Sequence, residues 1–145
     1  MDHMIDSPLT EREAAHLWAL AYNTRDAVLL APVLADDVRI MSRWVVNDMV
    51  GREVYLEYLA KKFATFEAAG SMVRVGLGEA PGDRVGATGR PCALIEQDGV
   101  LLATVLFDVI GGQLSQVSVS SQPSPVDCLF LGEYPGFGDE PGQIN

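Results

Sequence analysis

The sequence predicts an α+β fold in which helices cover one face of a curved, mostly antiparallel sheet. Three observations carry this expectation. Residues 90–121, RPCALIEQDGVLLATVLFDVIGGQLSQVSVSS, contain three apolar, β-branched runs joined by Asp98-Gly99 and by Gly111-Gly112. Both dipeptides supply the positive φ that tight hairpins need, so the stretch reads as a three-strand meander. Upstream, two segments repeat apolar residues at helical rather than strand spacing, and a sheet this apolar must be covered by something. A pocket is expected between the two layers.

In chain order, residues 1–9 lack periodicity and read as a flexible N-terminus. Thr10 and Glu13 form a capping box that opens a helix running to about Asn23, with Ala14, Leu17, Trp18, Ala21 and Tyr22 on one face. Asp26 caps a second short helix over 27–34, with Pro32 near enough to its start to be tolerated. The segment DVRIMSR from Asp37 alternates as a half-buried strand does, and Trp44 to Asp48 continues it as a bent strand or loose hairpin. From Arg52 to about Ala69, Val54, Tyr55, Tyr58, Leu59, Phe63 and Phe66 mark the longest amphipathic helix, with Lys61 and Lys62 on its wet side and Gly70 as its stop. Residues 71–79 form a strand whose glycines permit bending, and a loop leads into the meander. One domain over 10–121 is expected. The tail, 122–145, is proline-rich but carries Leu129, Phe130, Leu131, Tyr134 and Phe137, too much apolar surface to stay solvated, so it docks.

Composition narrows the function. A single domain of 145 residues buries about two thirds of its unfolded surface and needs neither metal nor disulfide to fold. The net charge of −10 repels phosphate backbones and anionic lipid, which argues against nucleic-acid and membrane partners. No run approaches the roughly 18 apolar residues of a membrane span and no signal pattern opens the chain, so a cytoplasmic location is expected. Cys92 and Cys128 match no zinc spacing and read as small hydrophobes, with a tail-to-sheet bridge as the alternative. No phosphate cradle, metal cluster or nucleophile elbow is present, which gives no support for a cofactor.

The sequence also resembles a known superfamily, the nuclear-transport-factor-2-like or SnoaL-like proteins. The resemblance rests on ADDV at 35–38, VGREVYLEYLAKKF at 50–63 and PCALIEQDGVLLATVLFDVIGGQLSQV at 91–117, and it spans about 10–121. SRWVVNDMVGREVYLEYLAKKF followed by GRPCALIEQ is similar to a bacterial subgroup of small stand-alone members. The resemblance implies a cystatin-like cone: the sheet wraps around the N-terminal helices, and an internal pocket is capped by the first and third helices. In the ketosteroid isomerases of that superfamily a helix tyrosine and a sheet acid hold the oxyanion while a strand carboxylate moves the proton. Alignment on ADD puts Trp18, Ser42 and Ala103 at those positions, so that chemistry is not implied, and only a one-residue slip would bring Asp48 or Tyr22 near it.

Strand parity then names the expected walls. If Ala103 faces the pocket, Leu101, Val105 and Phe107 do too, and pairing across Asp98-Gly99 adds Cys92, Leu94 and Glu96, with Val117 and Val119 from the last strand. The convex face would show Ile95, Gln97, Leu102, Thr104, Leu106, Asp108, Gln116, Ser118 and Ser120, a mixed surface suited to a homodimer. Three readings follow. The first is a homodimer that binds a small hydrophobic molecule through Trp18, Tyr22, Trp44, Tyr58, Leu94 and Phe107. The second is a cofactor-free, epoxide-hydrolase-like hydrolase or an isomerase using Asp48, Arg43 or Glu96. The third is an interaction scaffold whose cone is filled by its own side chains, with Phe130 or Phe137 among them. His16 reads as a helix-surface residue.

Overall fold

The computed structural model describes residues 9–43, 47–70, 72–81 and 89–136. The first helix, α1 (Glu11–Thr24), opens with the capping box: Thr10 Oγ1 accepts from Glu13 N at 3.1 Å and Glu13 Oε1 from Thr10 N at 3.0 Å. A 3₁₀ turn (Ala27–Leu30) follows, capped by Asp26. The longer helix expected here does not form. Pro32 has no N–H to give Val28, and its ring would strike that carbonyl, so the chain turns and enters β1 (Leu34–Ser42) early.

A two-residue strand β2 (Met49–Val50) pairs back on β1 and leads into α2 (Arg52–Ala69), which Gly70 ends in the left-handed conformation. The remaining strands are β3 (Val73–Ala80), β4 (Arg90–Gln97), β5 (Val100–Ile110), β6 (Gln113–Ser120) and β7 (Leu129–Phe130). Both hairpin dipeptides have positive φ, at 51° and 86° for Asp98-Gly99 and 62° and 78° for Gly111-Gly112. The sheet runs β2-β1-β6-β5-β4-β3-β7. Every neighbouring pair is antiparallel except β1 with β6, which the α2 crossover makes parallel. The result is a curved, unclosed, mostly antiparallel sheet in an α+β fold.

One face holds the main core. Val38, Ile40, Val75, Ile95, Ala103, Val105, Phe107 and Val117 meet Trp18 and Tyr22 of α1 and Tyr55, Leu59 and Phe63 of α2. Val54, expected on the apolar stripe of α2, is instead 49% exposed. The other face carries a smaller cluster, Ala80, Cys92 and Leu94, with Leu106 and Cys128 packed on it. It is roofed by residues 123–136: a 3₁₀ turn (Pro125–Asp127), then β7 on the outer edge of β3. Gly76 and Gly78 leave room for this roof, because a Cβ would lie 2.7 Å from the Phe130 ring at the first and 2.7 Å from Leu129 O at the second.

A β-bulge in β5 overturns the expected parity. Glu96 pairs with Leu101, but Ile95 pairs with Ala103, so Leu102 is an extra residue. The insertion flips β4 relative to β5. Ile95 joins Ala103 in the main core, whereas Cys92, Leu94 and Glu96 turn to the opposite face.

Candidate functional site

The deep part of the concave side is filled by aromatic rings. Trp18 stacks on Tyr22 at 4.1 Å between centroids and meets Phe107 edge-on at 5.8 Å, and Tyr22 meets Phe63 edge-on at 4.9 Å. Trp18 Nε1 donates to the Tyr55 hydroxyl at 2.7 Å, a fully buried bond between the two helices. Burial raises the pKa of both Tyr22 and Tyr55, and their neighbouring phenols add to the rise for each, so both remain neutral donors.

Beyond Tyr22 the space opens. A cavity of about 360 Å³ lies between the C-terminal half of α2 and the ends of β3, β4 and β5, with the end of β1 at its rim. Phe66, Val73, Ile95 and Leu102 supply apolar wall, Gln97 an amide, and Arg43 and Lys62 positive charge. The Lys62 ammonium lies 3.3 Å from the Tyr58 hydroxyl and above the Tyr58 and Phe66 rings, at 5.4 and 5.7 Å from their centroids. Arg25 braces the same wall from behind. Its guanidinium sits 5.1 Å from the Phe66 centroid and donates to Val73 O at 2.9 Å and to Tyr22 O; burial lowers its pKa, against the exposed Glu67 carboxylate. Tyr22 is 4% exposed and forms the cavity floor, and its hydroxyl has no hydrogen-bond partner among the described residues. Behind it a narrow crevice of about 10 Å³ touches Ser42, Tyr55 and Tyr58.

No protein-family model and no curated protein matches the sequence. Solved structures do match. An uncharacterised cystatin-fold protein from Novosphingobium aromaticivorans superposes at TM-score 0.54 with 16% identity, over 77% of this chain and 97% of that one. A candidate ketosteroid isomerase from Kribbella flavida gives 0.53 with 19% identity over 76% of each chain. An NTF2-like protein of unknown function from Cytophaga hutchinsonii gives 0.52 with 15% identity over 82% and 97%. The chain has the nuclear-transport-factor-2-like, or SnoaL-like, fold.

Within that fold the expected site residues separate. Tyr22 and Arg43 line the open cavity, and Tyr58 lines the crevice behind it. Trp18 and Phe107 belong to the filled interior, and Trp44 lies outside the described residues. Leu94 does not line the cone, because the bulge turns it to the other face. Asp48 does not pair with Arg43: its Oδ2 meets Arg39 Nη1 at 3.5 Å, with the two side chains 43% and 54% exposed. Phe130 is not a plug of the cone, since it packs with Tyr134 on the convex side; Phe137 is not among the described residues. His16 is exposed on α1, as its place on that helix suggested.

Glu96 is buried rather than at the rim. It sits on the convex face, where Oε2 meets Arg74 Nε at 3.1 Å and Oε1 accepts from the Tyr134 hydroxyl at 2.8 Å. The Arg74 guanidinium also stacks 3.8 Å from the Tyr134 ring centroid. Glu96 and Tyr134 bound a second hollow of about 380 Å³ with Leu94, Leu101, Val126, Cys128 and Phe130. Among the described residues no group of His, Cys, Asp and Glu could hold a metal, and no helix is long and apolar enough to cross a membrane.

Sequence reading missed Lys62, Ile95, Gln97 and Leu102 as cavity residues. The last three follow from the bulge, for which β5 carries no glycine or other local mark. Lys62 was legible in principle. A lysine one turn from both Tyr58 and Phe66 can lay its stem along their rings.

Proposed function

We propose that this protein binds a small, largely apolar molecule in the cavity at the mouth of its cone. The observation that carries the reading is the cavity itself. Aromatic rings fill the depth of the cone, yet about 360 Å³ remains open above Tyr22, within the range of small-molecule sites and walled by Phe66, Val73, Ile95 and Leu102. The names of two fold neighbours, the candidate isomerase from Kribbella flavida and a candidate polyketide cyclase from Sinorhizobium meliloti, refer to chemistry on small molecules, a parallel at the level of the fold. The hydrolase or isomerase reading is less well supported: no carboxylate lines the cavity among the described residues, and Arg43, Asp48 and Glu96 lie in three separate places. The scaffold reading accounts for the filled depth but not for the open mouth.

The protein works as a homodimer in this reading. Val126 and Phe130 expose 74% and 44% of their surface on the convex side, beside Leu101, which suits a second copy. Light scattering after size exclusion reads this directly, and a monomer at micromolar concentration sinks it.

Leu102→Trp fills the cavity from the sheet side. A thermal-shift screen of apolar small molecules is expected to give stabilising hits with the wild type that this variant loses. Hits retained by the variant would move the binding site elsewhere.

A further inference from the structure

Resting on that ligand-binding reading, we propose that the molecule held in the cavity is an anion: an apolar body bearing one carboxylate-like group, which docks between Arg43 and Lys62.

Charge sets this cavity apart from the rest of the chain. The chain carries twenty acidic and ten basic residues, yet the charged residues that line this cavity, among those described, are Arg43 and Lys62, both cations. A concave site lined by one sign of charge concentrates its field and raises the local concentration of the opposite ion. In a chain of net charge −10, such a mouth can draw in a small anion against the overall charge.

Placement supports the same assignment. Lys62 is held over the cavity by the Tyr58 hydroxyl and by two ring faces, so little side-chain freedom remains to be lost when an anion arrives. Arg43 enters from the opposite edge, at the end of β1, where its own N–H bonds Val119 O at 3.1 Å and fixes the start of the side chain. Its guanidinium offers the planar fork that matches a carboxylate. Tyr22, which lines both this cavity and the crevice behind it, carries a further donor. Tyr22 is 4% exposed, burial raises its pKa, and its hydroxyl has no hydrogen-bond partner among the described residues, so a ligand oxygen that reached it would relieve the cost of leaving it unsatisfied. Arg25 is not counted in the pair, because it is committed to Val73 O and faces Glu67.

The apolar part of the ligand is set by the remaining wall. Phe66 gives a ring face, while Val73, Ile95 and Leu102 give aliphatic contact. At about 30 Å³ per water, the cavity holds the equivalent of roughly a dozen waters, which suits a fused bicyclic acid or a medium-length fatty acid.

Isothermal titration calorimetry with 2-naphthoate, 2-naphthamide and 2-naphthylmethylammonium tests the assignment, because the three share one apolar body and differ in charge. Naphthoate is expected to bind about tenfold more tightly than the amide, the worth of one charge-assisted hydrogen bond, and the ammonium most weakly. Arg43→Gln and Lys62→Met should each narrow the gap in affinity between naphthoate and the amide. Arg43 is exposed, so its variant keeps the fold. Amide binding as tight as naphthoate, or naphthoate binding indifferent to both variants, overturns the anion assignment and leaves the apolar site standing. Failure of all three probes to bind the wild type overturns both.

Discussion

The Asn23 carboxamide hydrogen-bonds the backbone of Val75 as a neighbouring strand would: Oδ1 accepts from Val75 N at 2.8 Å and Nδ2 donates to Val75 O at 2.9 Å. The same Nδ2 donates to Pro135 O at 2.8 Å, so one buried side chain joins α1, β3 and the tail. It completes a relay along the outer edge of β3. There β7 takes Gly78 and Glu79, the backbone of Leu131 and Glu133 takes Leu77, Asn23 takes Val75, and Arg25 takes Val73 O. An edge that would otherwise invite a foreign strand is closed by the chain itself.

Replacing Asn23 by Leu leaves the Val75 N–H and C=O without partners in a buried place. Urea denaturation should show a loss of roughly 2–4 kcal/mol, with faster hydrogen exchange at the Val75 amide. Unchanged stability would mean that the edge closes without Asn23.

Gly78→Ala tests the roof. The new Cβ would stand 2.7 Å from Leu129 O and 2.9 Å from Leu94 Cδ1, and the first of these is backbone that cannot swing aside. The expected outcome is release of β7, seen as new protease cleavage between Cys128 and Gly136 and a loss of about 1–3 kcal/mol. The deep core under α1 should keep its near-ultraviolet circular dichroism.

Tyr55→Phe removes the hydroxyl that accepts from Trp18 Nε1 and strands a buried donor. A cost of about 1–3 kcal/mol is expected in denaturant unfolding. Trp18→Phe in the same background should cost less than it does in the wild type, since the bond is already gone.

Alkaline pH should destabilise the fold. Burial, helped by the adjoining Cys128, pushes the Cys92 thiol up to about 12 from an ordinary value near 9.0. The folded state therefore keeps a proton that the unfolded chain releases, so stability is full below about pH 9 and falls as the pH climbs toward 12. Tyr22 and Tyr55, also raised by burial, steepen the fall above pH 10 with the same sign. Melting temperatures followed from pH 8 to 11 should decline, less so for Cys92→Ala in the first part of the range. A flat profile contradicts the burial of these groups.

What the sequence made legible was local. The capping box at Thr10, the Gly70 stop and both hairpin dipeptides act within a few residues of where they stand, and each appears in the structure. What stayed hidden was set at a distance. The extra residue at Leu102 is defined only by its partners on β4, and one uncounted insertion sent Leu94 and Glu96 to the wrong face in the sequence reading. Asn23 looked like the end of a helix; its role depends on a strand 52 residues away. Pro32 was legible but weighed wrongly, since by that point a helix would already need its N–H.

Two hollows of similar size, about 360 and 380 Å³, lie on opposite faces of one sheet, and the proposed ligand belongs in the first. Titrating ¹⁵N-labelled protein with 2-naphthoate and mapping the amide shifts separates them in a single experiment. Shifts are expected to gather at Tyr22, Arg43, Lys62, Phe66, Ile95 and Gln97; shifts gathered instead at Gly76, Leu101, Val126 and Phe130, or none at all, would contradict binding at the mouth of the cone.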